Sequence, residues 1–277
     1  MRTTDLDLDH LTPKTGTVIR GFDLAAANET DLAAIKRLLH ERLVLVFRDQ
    51  RLTRDQHKSV CARFGTGTLQ RHALTQCEDR EVLDVKTTAH SKYTAGEGWH
   101  TDVSCDPNPV SASMLYITQT PEGGGGDTAF VNMYMAYDAL SAPVRALAAN
   151  LSAVHDGALP WKGAYGIEPP AGTQYNRTTH PLVVAHPDTG RKVLWVNRGF
   201  TSHLKGVGAL EGRHLLEMFF HHIESTPLFQ CRVRWEPSTL VMWDNVATQH
   251  HACWDYFPSS RYGERVSAVG VELQAAG

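Results

Sequence analysis

Residues 113–132 read SMLYITQTPEGGGGDTAFVN, and two kinds of local signal alternate within them. Ser113 to Thr118 and Ala129 to Asn132 are short runs rich in apolar residues, and Pro121 and four consecutive glycines lie between them. Short apolar runs bounded by turn residues are typical of strands. This stretch therefore predicts two strands joined by a turn, and it favours a mainly β interpretation of the chain.

The pattern continues on both sides of this stretch. Further strands are predicted at 16–24, 43–47, 182–185, 192–197, 230–235, 240–243 and 266–273. Helices are predicted around 32–39 with a cap at Asn28 or Thr30, and at 53–64, 141–151 and 210–223. The predicted fold class is α+β and mainly β, a barrel or sandwich buttressed by helices. The length of 277 residues fits one catalytic domain, 1–277.

Composition and charge narrow the range of partners. Lys plus Arg number 27 and Asp plus Glu number 30, and a net charge of −3 favours neither nucleic acid nor a membrane surface. The polar, acidic N-terminus does not resemble a signal peptide. The five cysteines are widely spaced and form no CxxC pair, which predicts reduced thiols and a cytoplasmic location. The sequence leaves open whether the chain forms a homo-oligomer.

The first motif that carries chemistry is Trp99-His100-Thr101-Asp102. His100 and Asp102 are two residues apart, so on a strand both side chains point to the same face. A second histidine from a distant strand would complete a set of two histidines and one carboxylate, the arrangement of iron(II) oxygenases. Such a spacing also arises by chance in a chain with 15 histidines, so it needs a second signal.

That second signal is residues 243–256, WDNVATQHHACWDY, followed by Arg261 and Arg265. His250 and His251 compete for the second imidazole position, because adjacent residues of a strand face opposite sides. Arg261 and Arg265 are four apart and share a face, with Gly263 between them. Two adjacent arginines predict a bound anion for each; a salt bridge from Arg265 to a nearby aspartate is the competing explanation.

Together these motifs resemble the taurine dioxygenase family of iron- and 2-oxoglutarate-dependent oxygenases. The family carries WHTD near residue 100 and a WDN…TQHxAxxDY…R…R block near its end, and GGDT (125–128) and the residues from His180 to Thr201 also match. The similarity runs from about Gly16 to about Gly270. It implies a double-stranded β-helix, or jelly-roll, core.

The resemblance also implies roles for individual residues. His100, Asp102 and His250 would hold Fe(II), which leaves His251 facing away. Thr128 and Arg261 would bind the distal carboxylate of 2-oxoglutarate, for which a guanidinium fork is well shaped. With O2, such an enzyme hydroxylates its substrate and releases succinate and CO2.

The substrate pocket is predicted to take a small anionic molecule other than taurine. His72 and Arg265 match the family residues that hold the anionic group of the substrate, and Trp161 and Phe200 provide aromatic walls. The family's tyrosine, asparagine and serine are replaced by Thr75, Gly96 and Pro160. Losing polar groups in this way changes specificity sharply.

The long Gly- and Pro-rich segment 157–179, which also carries Trp161 and Tyr165, is predicted to be an active-site lid. Two other functions compete with the dioxygenase interpretation. A zinc-dependent hydrolase would use the same ligand set but leaves GGDT and the paired arginines unexplained. A non-catalytic anion-binding barrel would keep the arginines without needing the intact ligand set.

Overall fold

The structure, a computed structural model, describes residues 6–72, 75, 77–94, 96–162, 166–169 and 171–277. The strands are β1 (Asp7–His10), β2 (Thr17–Arg20), β3 (Val44–Phe47), β4 (Leu83–Thr87), β5 (Val110–Gln119), β6 (Thr128–Asn132), β7 (Ser152–Asp156), β8 (Arg177–Pro181), β9 (Val183–Ala185), β10 (Lys192–Leu194), β11 (Thr201–Lys205), β12 (Gln230–Val233), β13 (Thr239–Asp244), β14 (Thr248–Ala252), β15 (Arg261–Val269) and β16 (Gln274–Ala275). The α-helices are α1 (Glu29–Arg42), α2 (Arg54–Ala62), α3 (Met133–Asp138), α4 (Ala142–Ala149), α5 (Leu159–Lys162) and α6 (Ala209–Glu224).

One seven-stranded sheet forms the main layer, in the order β1-β2-β3-β13-β5-β15-β4. Its pairs are antiparallel except β2 with β3, which is parallel. Three smaller sheets, β12-β6-β14, β11-β7-β8 and β10-β9-β16, supply the remaining strands. This is the predicted mainly β architecture, with α1 and α2 supporting the large sheet from one side.

The two faces of the large sheet belong to different cores. In β3, Val44 and Val46 pack into the core shared with the smaller sheets, whereas Leu45 and Phe47 pack against α1 and α2. Strand alternation thus explains why residues 43–47 are apolar at every position, since both faces of this strand are buried.

Capping residues define the helix starts as the sequence predicts. Asn28, not Thr30, caps α1: its Oδ1 accepts the N–H of Asp31 at 3.1 Å, and Asp31 accepts the N–H of Asn28 at 3.3 Å. Thr53 and Gln56 form the same reciprocal capping box at α2. At the other end of α1, Leu43 adopts a left-handed φ of 64°, which turns the chain into β3.

Several sequence expectations differ from the structure. His100 makes only an isolated bridge with His250, and residues 102–105 form a turn, so His100 and Asp102 do not lie on one regular strand. The left-handed φ of 43° at Val103 is incompatible with an extended chain there. The last predicted strand begins at Arg261, not Val266, and β4, β7, β8, β11 and α3 were not predicted.

The segment 157–179, which is predicted to be a lid, does not form one continuous loop. It contains α5, and its last three residues, 177–179, belong to β8, which pairs with β7. Tyr165 lies outside the described residues. Within the described part of the chain, no helix is long and apolar enough to cross a membrane.

Candidate active site

A cluster of two histidines and one aspartate lies where β14 meets the chain around residue 100. His100 and His250 are bridge partners: the N–H of His100 donates to His250 O at 3.1 Å and the N–H of His250 to His100 O at 2.8 Å. Their ring centroids are 4.1 Å apart. The Nε2 atoms of His100 and His250 lie 3.7 and 3.8 Å from Oδ1 of Asp102. Three potential ligand atoms from segments 150 residues apart thus converge on one buried point.

The aspartate is held on both carboxylate oxygens. Ser113 Oγ donates to Oδ2 at 2.9 Å, and Arg265 Nη1 donates to Oδ1 at 2.5 Å. Burial alone would raise the pKa of Asp102, but Arg265 and the two imidazoles hold it well below its usual range. Asp102 is therefore a carboxylate at neutral pH. Arg265 thus forms the salt bridge to an aspartate that the sequence offered as the competing explanation for this arginine, while its Nε has no hydrogen-bond partner among the described residues.

The hydrogen bonding of His100 and the burial of His250 favour imidazoles that present a lone pair to the cluster. His100 Nδ1 lies 2.9 Å from Gly98 O, an acceptor only, so Nδ1 carries the proton and the lone pair of Nε2 faces the cluster. Burial and the neighbouring His100 hold the pKa of His250 well below its ordinary value. The chemistry of this donor set, two imidazoles and one carboxylate, fits a divalent iron ion.

His251 faces away from the cluster. Its Nδ1 accepts the N–H of Gly98 at 2.8 Å, and its ring lies 5.6 Å from that of Trp99. The alternation between His250 and His251 is the one expected within a strand.

A cavity of about 330 Å³ opens beside the cluster, between the large sheet and the β12-β6-β14 sheet. Its walls are mostly apolar. The charged or polar side chains among its lining residues are Glu97, His100, Asp102, Thr128, Arg198, His250, Arg261 and Arg265. Arg198 forms salt bridges with Glu217 and Glu224 at the surface.

Arg261 is the most unusual of these residues, because a fully buried guanidinium normally has a charged partner. It is 2% exposed, and its Nε and Nη2 have no hydrogen-bond partner among the described residues. Burial lowers its pKa, and the neighbouring Tyr256 partly offsets this effect. Thr128 lies in the same part of the cavity, where its Oγ1 accepts the Trp235 Nε1–H at 3.0 Å. Two parallel donors of Arg261 are therefore available for a carboxylate.

Of the glycine run beside Thr128, Gly125 and Gly126 are closely packed at this end of the cavity. Gly126 has a φ of +72°, and a Cβ there would lie 3.1 Å from the Tyr256 ring and 3.4 Å from Arg261 Cδ. Its N–H donates to Asp255 Oδ1 at 2.8 Å. The GGDT motif thus allows the backbone to approach the residues that surround Arg261.

The predicted substrate residues are only partly brought together. Arg265 and Phe200 line the cavity. His72 is partly buried outside the lining; its Nε2 has no partner among the described residues, and burial together with Arg265 lowers its pKa to about 4. Trp161 is not among the lining residues and lies 6.4 Å from the Tyr175 ring, whereas Leu159 and Pro160 of the same helix do line the cavity.

The positions that depart from the family pattern have distinct surroundings. Thr75 Oγ1 donates to Val82 O at 2.9 Å and so is already engaged. Gly96 and Pro160 line the cavity without a polar side chain. Around the cluster, the sequence analysis missed Ser113, Trp235 and Asn245; the WDN motif was a signal for the last of these.

A second group of potential ligands, His40, His186 and Asp244, lies on the opposite side of Asn245 from the site. His186 Nδ1 accepts the N–H groups of Asp188 and Thr189 at 3.2 and 3.3 Å. Its Nε2 therefore carries the proton and donates to Asp244 at 3.0 Å, so it has no lone pair for a metal. We interpret this group as a hydrogen-bond network that anchors Asp244.

Comparisons with known proteins agree with this fold and site. The family model described as "Taurine catabolism dioxygenase TauD, TfdA family" matches residues 7–267. A similar curated protein is the α-ketoglutarate-dependent dioxygenase cnsM of Penicillium expansum, 32% identical over 91% of this chain and 74% of that protein. The α-ketoglutarate-dependent sulfate ester dioxygenase of Pseudomonas putida is 30% identical over 96% of this chain and 90% of its own. The crystal structure of a taurine dioxygenase from Burkholderia xenovorans superposes with a TM-score of 0.83, at 33% identity, covering 98% and 91% of the two chains.

A buried cluster of two histidines and a carboxylate in a jelly roll defines the class of 2-oxoglutarate-dependent dioxygenases, which use O2 and 2-oxoglutarate (α-ketoglutarate). The chain belongs to the TauD/TfdA family within that class. The predicted family, jelly-roll fold and enzyme class are thereby confirmed, in preference to a zinc hydrolase or a non-catalytic barrel.

Proposed function

We propose that His100, Asp102 and His250 hold Fe(II) and that the enzyme hydroxylates a small anionic organic molecule. One observation carries this proposal. The buried cluster opens onto a cavity that also contains Arg261, a buried guanidinium whose Nε and Nη2 have no hydrogen-bond partner in the described part of the chain. 2-Oxoglutarate requires a metal ion at its keto-acid end and a cation for its distal carboxylate. The cluster and Arg261 offer both kinds of site in one cavity.

The distal carboxylate of 2-oxoglutarate is assigned to Arg261 and Thr128. The guanidinium offers a planar fork for bidentate pairing. Thr128 Oγ1 already accepts from Trp235, so its own hydroxyl proton remains available for donation to the carboxylate. This arrangement would fix the cosubstrate at one end and leave its keto-acid end directed toward the metal.

Bound iron, with 2-oxoglutarate as the reductant, would supply the oxygen activation that hydroxylation needs. The balance is one substrate C–H, one O2 and one 2-oxoglutarate consumed for one C–OH, one succinate and one CO2. The contribution of the protein is to keep His100 in the tautomer that presents Nε2, to keep Asp102 ionised, and to surround the reacting groups with apolar walls that exclude water.

The anionic end of the substrate is assigned to Arg265 and the nearby His72. Arg265 donates through Nη1 to Asp102, while its Nε has no partner among the described residues. Phe200 and Trp99 line the same cavity and suit an apolar body attached to the anionic group. The proteins similar to this chain include a sulfate ester dioxygenase and a 2,4-dichlorophenoxyacetate dioxygenase, both named for anionic substrates with apolar parts.

A panel of sulfonates, alkyl sulfate esters, phosphonates and aryloxy- or aminocarboxylates tests this proposal. With Fe(II), 2-oxoglutarate and O2, we expect succinate formation stimulated by an anion that carries an apolar group, and less by taurine, because Gly96 and Pro160 offer no polar side chain. Asp102→Ala serves as the inactive control. Equal stimulation by uncharged analogues would contradict the anionic assignment. Hydrolysis of a substrate without O2 consumption, by a zinc-containing preparation, would contradict the chemistry.

We also propose that residues 157–176 close the cavity. The two ends of this segment are tied together by the Gly157 N–H, which donates to Asn176 O at 3.0 Å, and Leu159 and Pro160 between them line the cavity. Closure would exclude water from the reacting groups.

Hydrogen exchange across 157–176 measures this closure. We expect exchange to slow when Mn(II), 2-oxoglutarate and the best substrate of the panel are all present, compared with the ligand-free protein. Peptides from β13 at the centre of the large sheet serve as an internal control, since their exchange should not change. If 157–176 exchanges equally fast in both states, another segment must close the site.

We infer a cytoplasmic location from the cysteines. Cys61, Cys77, Cys105, Cys231 and Cys253 are all free thiols, as is usual in a reducing compartment.

A further inference from the structure

Asn245 joins the end of β13 to the turn that carries Asp102. Its side chain is completely buried, at 0% exposure. Oδ1 accepts the backbone N–H of Asp102 at 3.0 Å. Nδ2 donates to the backbone oxygen of Asp102 at 3.1 Å and to that of Val110 at 2.9 Å. The amide of Asn245 thus makes three hydrogen bonds, and two of them go to Asp102.

The hydrogen bonds from Asn245 take the place of the backbone hydrogen bonds that a neighbouring strand would make to Asp102. Residues 102–105 form a turn, so the N–H and C=O of Asp102 have no strand partner, and Asp102 is 3% exposed. A buried backbone amide or carbonyl without a hydrogen-bond partner destabilises the folded state. The amide of Asn245 satisfies both groups with a geometry that a strand neighbour would normally supply. It therefore fixes the backbone from which the carboxylate projects.

Asn245 is itself firmly placed. Its backbone N–H donates to Ser111 O at 2.9 Å. The preceding Asp244 is anchored by His40 and His186, each 3.0 Å from its carboxylate. On the other side, the Trp243 ring lies 4.9 Å from that of His250. Trp243 thus contacts His250, and Asn245 contacts Asp102, so the short segment 243–245 contacts two members of the ligand cluster.

We propose that Asn245 is a positioning residue that sets metal affinity by holding the backbone of Asp102. The inference rests on the proposed function, in which Asp102 is a metal ligand. Among the described residues, the hydrogen bonds of the Asn245 side chain go only to backbone atoms, and Asn245 is not among the residues that line the cavity, so we assign its effect to the backbone of Asp102. Partners that orient metal ligands commonly contribute about 10–100-fold to metal affinity.

The test is Mn(II) titration of metal-free protein by calorimetry, for the wild type, Asn245→Asp and Asn245→Ala. Asn245→Asp keeps the shape of the side chain but replaces the Nδ2 donor with a carboxylate oxygen, which cannot donate to the carbonyl oxygens of Asp102 and Val110. Asn245→Ala removes all three hydrogen bonds. We expect Mn(II) to bind about 10–100-fold more weakly to both variants. Succinate formation should recover toward the wild-type rate as the metal concentration is raised.

A second readout needs no metal. Hydrogen exchange of the peptide covering residues 99–106 should be faster in both variants of the metal-free protein, because the N–H of Asp102 loses its acceptor or its fixed surroundings. Asn132→Asp is the matched control. Asn132 is also buried, and it caps α3 by accepting the N–H of Met135 at 3.1 Å, a role that aspartate can keep. That variant should bind Mn(II) as the wild type does.

The outcomes separate this inference from the proposed function. If the wild type binds Mn(II), Asp102→Ala does not, and both Asn245 variants bind within twofold of the wild type, the positioning role is wrong and the metal site stands. If the wild type and Asp102→Ala bind Mn(II) equally weakly, the metal site itself is wrong and the inference falls with it. If neither Asn245 variant folds, Asn245 serves the fold as a whole, and the proposed role is overturned.

Discussion

Alanine at His100, Asp102 or His250 is expected to abolish Fe(II) binding and 2-oxoglutarate turnover, while His251→Ala retains both. Each of the first three side chains contributes one ligand atom to a single buried point. Removal of a ligand should exceed the roughly 100-fold effect of removing a residue that merely orients one. Metal content after reconstitution and the rate of succinate formation should be measured for all four variants.

His251 is a closely matched control, because it has the same side chain, lies on the same strand and faces away from the cluster. Asp102→Ala has a second consequence, since it leaves the Arg265 guanidinium without its 2.5 Å partner. Asp102→Asn should therefore be included, because it keeps the shape and changes the charge alone. An essential His251 together with a dispensable His250 would show that the ligand assignment is reversed.

Arg261→Ala is expected to raise the concentration of 2-oxoglutarate needed for half-maximal turnover far more than that of the substrate. The loss of a buried, charge-assisted pair costs about 2–5 kcal/mol. That range corresponds to a rise of about 30-fold to several thousand-fold. Steady-state rates with each of the two compounds varied in turn give both concentrations.

Two further variants make the result specific. Arg261→Lys keeps the charge but loses the planar fork, so its defect should be intermediate. Arg265→Ala should show the opposite selectivity, with a larger effect on the substrate than on 2-oxoglutarate. An Arg261→Ala enzyme that still responds normally to 2-oxoglutarate would place the distal carboxylate elsewhere in the cavity.

Local patterns predicted much of the fold because they reflect local physics. The Asn28 and Thr53 capping boxes are formed within four residues, so the starts of α1 and α2 were readable from the sequence. The missed strands have weaker signals. β7, for example, contains His155 and Asp156, and its pairing with β8 and β11 depends on residues far along the chain. Pairing between distant segments can stabilise a strand that has little propensity of its own.

The candidate site likewise has features that the sequence predicts and features that it does not. Strand alternation predicted that Arg261 and Arg265 share a face and that only one of His250 and His251 faces the site, whereas the choice of His250 came from the resemblance to the family. The conformation around Asp102 was not predictable, because His-x-Asp spacing reads as a strand while the left-handed Val103 makes a turn. The role of Asn245 was equally hidden, since its partners lie about 140 residues earlier in the chain.

The bridge between His100 and His250 has a consequence for how the enzyme matures. Only two backbone hydrogen bonds join these residues directly, and 149 residues separate them in sequence. While the ribosome is still producing the first 249 residues, the nascent chain has one histidine and one aspartate of the set, and a divalent ion would meet an incomplete site. If the cluster holds Fe(II) as proposed, metal loading follows the docking of β14 and then adds to the stability of the finished protein, because an ion that binds only the folded state disfavours unfolding.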